Sequence, residues 1–176
     1  MGMRDAIRTC LGKYATFSGR ASRPEYWWFV LFLVLGSISA AMLDGALFGG
    51  SVTEIAPGQF EARSEGPIGA IFALGMVLPA LAAGWRRMHD TGRSGLYLFY
   101  PLIVMTGVTS FIALVSGLDA LARGDIGAIL AGASGLVVAG GLFVLFISPL
   151  IVIWWLTRPS VPGPNRYGPN PHEVTS

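Results

Sequence analysis

Charge is what this chain has least of. Only 12% of its 176 residues are Asp, Glu, Lys or Arg, about half the share usual in a soluble domain. So few charges cannot cover a water-facing surface, and 53% of the residues are hydrophobic, so the composition places the chain in a membrane. Cysteine is nearly absent as well. Cys10 stands alone, which excludes an internal disulfide and any thiolate cluster. Two histidines and ten scattered carboxylates add little to the ligand inventory, and neither a metal nor a cofactor is expected. The net charge of +2 gives no reason to expect a nucleic-acid partner. The residues before Tyr26 hold five Lys or Arg and no apolar core of the secretory-signal kind. The first apolar run is therefore expected to remain as an uncleaved anchor.

What is present is a set of long apolar runs with short charged stretches between them. Residues 3–17 put Met3, Ile7, Cys10, Leu11 and Tyr14 on one helical face and Arg4, Asp5, Arg8 and Lys13 elsewhere. Two readings stay open for this amphipathic segment: a helix lying in the membrane interface, or one packed on the rest of the protein. In FSGRASRPEYWWF, Ser22 is a helix cap and Pro24 is tolerated in the first turn. Tyr26, Trp27 and Trp28 form an aromatic belt at headgroup depth. From Tyr26 to Leu43 there are 18 uncharged residues, roughly 27 Å of helix and close to one hydrocarbon thickness. Asp44 then falls at the far interface, as an ordinary boundary residue.

Residues 49–66 read as a solvated connector. Spans are expected at about 26–48, 67–85, 96–118 and 134–156, with Pro79 as a kink whose freed carbonyl a neighbour can satisfy. Five prolines between Pro159 and Pro171 predict an extended tail. The expected fold is an all-α membrane protein: one polytopic domain over residues 1–176, a bundle of four transmembrane helices with an N-terminal interfacial helix over 1–22 and a Pro-rich tail over 157–176. Ten of the twelve Lys and Arg fall before the first span, between spans two and three, or after the fourth; Arg63 and Arg123 are the other two. The positive-inside rule therefore puts both termini and the middle loop in the cytoplasm.

The unusual stretches fall on that one side. In RRMHDTGRSG, Arg86, Arg87 and His89 complement the negative end of span two, Asp90-Thr91-Gly92 has turn chemistry, and Ser94 can cap span three. FSGRASRPEYWWF, RRMHDTGRSG and PGPNRYGPNP, in this order around four spans, resemble the YhaH-type bacterial inner-membrane proteins, the family of domain of unknown function 805. The resemblance covers essentially the whole chain; Met88 replaces a more usual leucine and Leu96-Tyr97 more usual tryptophans. It implies a small integral protein of the bacterial inner membrane and no particular activity.

Two uses of the cluster follow from its chemistry. One is a structural latch, in which Arg20, Arg23, Arg86, Arg87 and Arg93 pair with Glu25 and Asp90, supported by His89, Ser94, Asn165 and Tyr167. The other starts from five arginines facing two carboxylates. The surplus, beside glycine N–H groups, suits an anion: an acidic phospholipid headgroup or an acidic segment of a membrane-protein partner or second copy. The expected role is non-enzymatic, as an accessory, scaffold or regulatory subunit, with no catalytic residue assigned. A small transporter or oligomeric channel lined by Ser37, Ser39, Thr106, Thr109 and Ser110 is one alternative, and a headgroup-modifying enzyme using His89 is another. Proton-coupled transport is disfavoured, because no ionisable side chain is expected near the middle of a span.

Overall fold

The computed structural model describes residues 1–56, 58–64, 66–130, 135–171 and 173. A short helix α1 (Met3–Gly12) precedes α2 (Arg23–Phe48). A hairpin of β1 (Gly50–Ala56) and β2 (Gln59–Ser64) leads to α3 (Ile68–Asp90). A 3-10 turn, Gly95–Phe99, opens α4 (Tyr100–Ser116), followed by α5 (Leu118–Arg123), α6 (Ile126–Leu130) and α7 (Gly135–Thr157). Four stretches are long and apolar enough to cross a membrane: Arg23–Phe48, Ile68–Asp90, Gly95–Val115 and Gly135–Thr157. Their flanks carry Leu74, Leu114 and Leu136 at 75%, 84% and 86% exposure, which is tolerable only where lipid or another protein replaces water. Ser134, where the sequence predicts the fourth span to begin, lies outside the described residues.

The helices pack in antiparallel pairs, α2 on α3 and α4 on α7, and the pairs join through α3 with the 3-10 turn and with α7. Gly36 lets α3 come close, since a Cβ there would sit 2.4 Å from the Phe72 ring. Buried apolar side chains form separate clusters: Cys10 of α1 with Phe29 and Ala83 beneath it, Met88 with Val152 and Leu156 where the pairs join, and Ile112, Ile129 and Val138 at the far end. Helix α1 is packed on α2 and α3, with Ala6 and Cys10 fully buried. Of the two sequence readings, protein packing accounts for its inner face.

Two features differ from the sequence expectation. Residues 49–66 are not simply an irregular connector: β1 and β2 pair antiparallel from Gly50 with Ser64 to Ala56 with Gln59, turning at Gly58, whose φ is 79°. Asp44 is not an ordinary boundary residue either. It is 1% exposed, and its Oδ1 and Oδ2 accept from the amides of Ile68 at 2.9 Å and Gly69 at 2.7 Å. The first amides of a helix have no partner within it, and the helix end carries partial positive charge, so a carboxylate from the preceding helix answers both needs. Gly66 makes room for it, because a Cβ there would lie 1.9 Å from Asp44 Oδ1.

Candidate functional site

The three motif segments meet at the end of the bundle that holds both termini. Ser22 Oγ accepts from the Glu25 amide at 3.3 Å and starts α2 with Pro24 in its first turn. Helix α3 stops at Asp90 in a Schellman arrangement: the amides of Gly92 and Arg93 donate to the carbonyls of His89 at 3.0 Å and Met88 at 2.9 Å, with Gly92 at φ 76°. Thr91 Oγ1 donates to the Met88 carbonyl at 2.9 Å. Ser94 Oγ accepts from the Leu96 amide at 3.4 Å, capping the 3-10 turn. Gly95 follows because the Trp85 ring occupies the place of a side chain, 1.9 Å from where a Cβ would stand.

Within this knot the charges are sorted by burial. Arg86 and Arg87 are fully buried, and Arg20 is 6% exposed. A buried guanidinium needs a carboxylate and acceptors for its remaining N–H groups. Arg86 Nη1 pairs with Glu25 Oε1, and its Nη2 donates to Cys10 Sγ at 3.9 Å. Arg87 Nη1 pairs with Asp90 Oδ2, while its Nε donates to the Leu156 carbonyl at 2.9 Å and its Nη2 to the Arg158 carbonyl. Arg20 Nε meets Asp90 Oδ1 at 2.9 Å, and its other nitrogens donate to the carbonyls of Gly163 at 2.8 Å and Val161 at 2.7 Å. Asp90 also accepts from Ser160 Oγ, and its carbonyl accepts from the Val161 amide at 3.0 Å.

Among the described residues the tail beyond Thr157 is not helical, and it is fixed by these contacts. Asn165 Nδ2 donates to the His89 carbonyl at 3.0 Å. The Tyr167 ring stacks on the His89 ring, with centroids 3.7 Å apart and planes 3° from parallel. His89 Nδ1 lies 3.0 Å from the Gly19 carbonyl; because a carbonyl only accepts, Nδ1 carries the proton. His89 and Asp90 thus turn to different partners. They do not form an acid–base pair.

Of the arginines grouped in the sequence as one anion-binding set, Arg20, Arg86 and Arg87 face inward and are occupied by Glu25, Asp90 and main-chain carbonyls. Arg23 is exposed and Arg93 half-buried, and the ion pairs among the described residues do not include them. Cys10 and Ser160 join the site without being singled out in the sequence, and Arg158, counted there only as a charge on this face, supplies its main-chain carbonyl. Burial pushes the Cys10 thiol up to about 11, with the Glu25 carboxylate adding to the shift. Ser39 and Thr106 of the pore alternative donate to carbonyls of their own helices, Leu35 and Leu102.

A family model described as "Protein of unknown function (DUF805)" matches residues 14–169, a range that takes in the first two motif segments whole and the third as far as Pro169. Inner membrane protein YhaH of Escherichia coli strain K12 is 27% identical over 161 residues, 92% of this chain and 91% of its own length. Inner membrane protein YhaI of the same strain is 37% identical over 97 residues, 53% of this chain and 70% of its own length. No solved structure matches the chain.

Proposed function

The chain belongs to the DUF805 family, and from that premise we propose that it is a non-enzymatic accessory or scaffold of the bacterial inner membrane whose arginine-bearing face engages acidic phospholipid headgroups. Both termini and the loop after α3 face the cytoplasm, a topology that the distribution of Lys and Arg supports. Helix α1 lies in the interface with its outer residues toward headgroups and water.

The observation that carries this reading is the division of the arginines. Three are held inside by two carboxylates and a set of carbonyls, which makes the knot rigid and removes them from outside chemistry. Arg23, Arg158 and Arg166 are exposed and Arg93 half-buried at the same end. Three of these four lie over aromatic rings: Arg93 over Trp155 at 5.3 Å, Arg158 over Trp154 at 5.0 Å and Arg166 over Tyr167 at 4.7 Å. Tryptophans favour headgroup depth, and each basic residue near an acidic leaflet contributes on the order of 1 kcal/mol. A non-enzymatic role is supported by the separate engagements of His89 and Asp90.

Native mass spectrometry of the protein, gently extracted from membranes of mixed lipid composition, tests the proposal. Enrichment of acidic over zwitterionic phospholipid among the bound species is expected. Lipid carried over in the proportions of the membrane would contradict it.

A further inference from the structure

We propose that the cleft between Arg93 and Arg158 is a defined binding site for the phosphate of an acidic phospholipid, with an acyl chain of the same lipid lying in the groove beside Tyr97, Tyr100 and Ile103. The inference rests on the reading above that this face engages acidic headgroups, and it replaces a diffuse attraction with one address.

The cleft has a volume of about 320 Å3, and its walls include Thr91, Arg93, Arg158 and Ser160 but no carboxylate. Asp90, the acid that the cleft residue Ser160 contacts, is already taken by Arg20, Arg87 and Ser160. It is therefore not free to neutralise the two cleft arginines. Arg93 uses Nη1 on the Thr91 carbonyl at 3.1 Å, and a guanidinium has further N–H donors for a phosphate. Adjacent tryptophans steady both cations: Arg93 rests over Trp155 and Arg158 over Trp154. Two guanidiniums braced on one helix end, in a recess without acids, are a phosphate site by charge and by geometry.

A groove of about 310 Å3 is lined by Ser94, Leu96, Tyr97, Tyr100 and Ile103. The rings of Tyr97 and Tyr100 stand 5.2 Å and 6.1 Å from the same Trp155 ring that carries Arg93. Trp155 thus links the two, touching Arg93 of the polar recess and both tyrosines of the apolar groove. A free phosphate satisfies only the first. An amphiphile with a phosphate at one end and a hydrocarbon chain behind it satisfies both.

The test uses the full chain in nanodiscs of phosphatidylglycerol and phosphatidylcholine, with bound lipid counted by native mass spectrometry. R93Q/R158Q is expected to lower phosphatidylglycerol retention about tenfold or more, while R4Q/R8Q, which removes the same charge from exposed positions on α1, leaves it unchanged. Ile103→Trp, which fills the groove and alters no charge, is expected to lower retention as well, with wild-type melting showing that the fold is intact. Excess inorganic phosphate is expected not to displace the lipid; displacement would overturn the lipid assignment in favour of a phosphate-ion site. Equal loss in the two double variants would overturn this address and leave general headgroup attraction standing. No preference for phosphatidylglycerol in the wild type would overturn both.

Discussion

The hydroxyl of Tyr14 donates to the main-chain carbonyl of Gly75 at 2.5 Å, and Gly75 is the residue four before Pro79. Proline has no amide hydrogen, so inside α3 the carbonyl at that position loses its helical partner. A membrane helix tolerates such a proline when a neighbour supplies the missing donor. Here the neighbour is the segment just after α1, and the bond explains why a polar tip follows an otherwise apolar face.

Tyr14→Phe should therefore cost about 1–3 kcal/mol, read as a lower melting temperature in detergent. In a Pro79→Ala background, which restores the amide to the helix, the same change should cost far less. Equal losses in both backgrounds would show that the carbonyl of Gly75 is not what Tyr14 serves.

Asp90→Asn leaves the buried Arg20 and Arg87 without a full counter-charge. Breaking a buried pair from one side costs about 3–5 kcal/mol, and thermal unfolding should show a loss of that order. Arg166→Gln, at an exposed position, should change stability by less than about 0.5 kcal/mol. Similar melting for the two variants would refute the division of charge by burial.

Asp44→Ala removes the acceptor for two amides at the start of α3 and should cost about 1–2 kcal/mol. Asp44→Asn keeps an oxygen there and should cost less. Hydrogen exchange should speed up at Ile68 and Gly69 while the amides of Gly92 and Arg93 stay protected. Uniform acceleration along α3 would contradict a local capping role.

The Cys10 thiol is buried, and its ionisation is pushed up from 9.0 to about 11. At pH 8 only about one folded molecule in a thousand would carry the reactive thiolate, so maleimide should label the folded protein slowly and the denatured protein fully. The raised value also ties stability to pH. Stability from the protonated thiol is complete below 9, where both states hold the proton, and is lost as pH rises through about 11. Rapid labelling of folded protein at pH 8 would mean that α1 does not pack against α2 and α3.

The helices were legible because period, length and end signals agreed: Ser22 and Pro24 at one start, Gly92 at one stop, and long uncharged runs between them. The latch residues were legible as a group, since Glu25, Asp90, Asn165 and Tyr167 fall in three compact motifs. Which arginine meets which acid was not, because Arg20 and Asp90 are 70 residues apart and only packing decides burial. Counting five arginines against two carboxylates left out the main-chain carbonyls of Leu156, Arg158, Val161 and Gly163, which a composition count does not show as acceptors. The role of Asp44 is hidden in the sequence for a related reason: its partners are amides on the next helix, beyond a hairpin that residues 49–66 do not announce.

The central claim is that the tail closes over the α3 turn in the membrane, and a photo-crosslinker in place of Tyr167 tests it most directly. With p-benzoylphenylalanine at that position, illumination of native membranes should join the tail to peptides containing His89 or Gly19, as the 3.7 Å ring stack requires. Crosslinks to lipid alone, or to other proteins with no internal adduct, would show that the three segments do not meet.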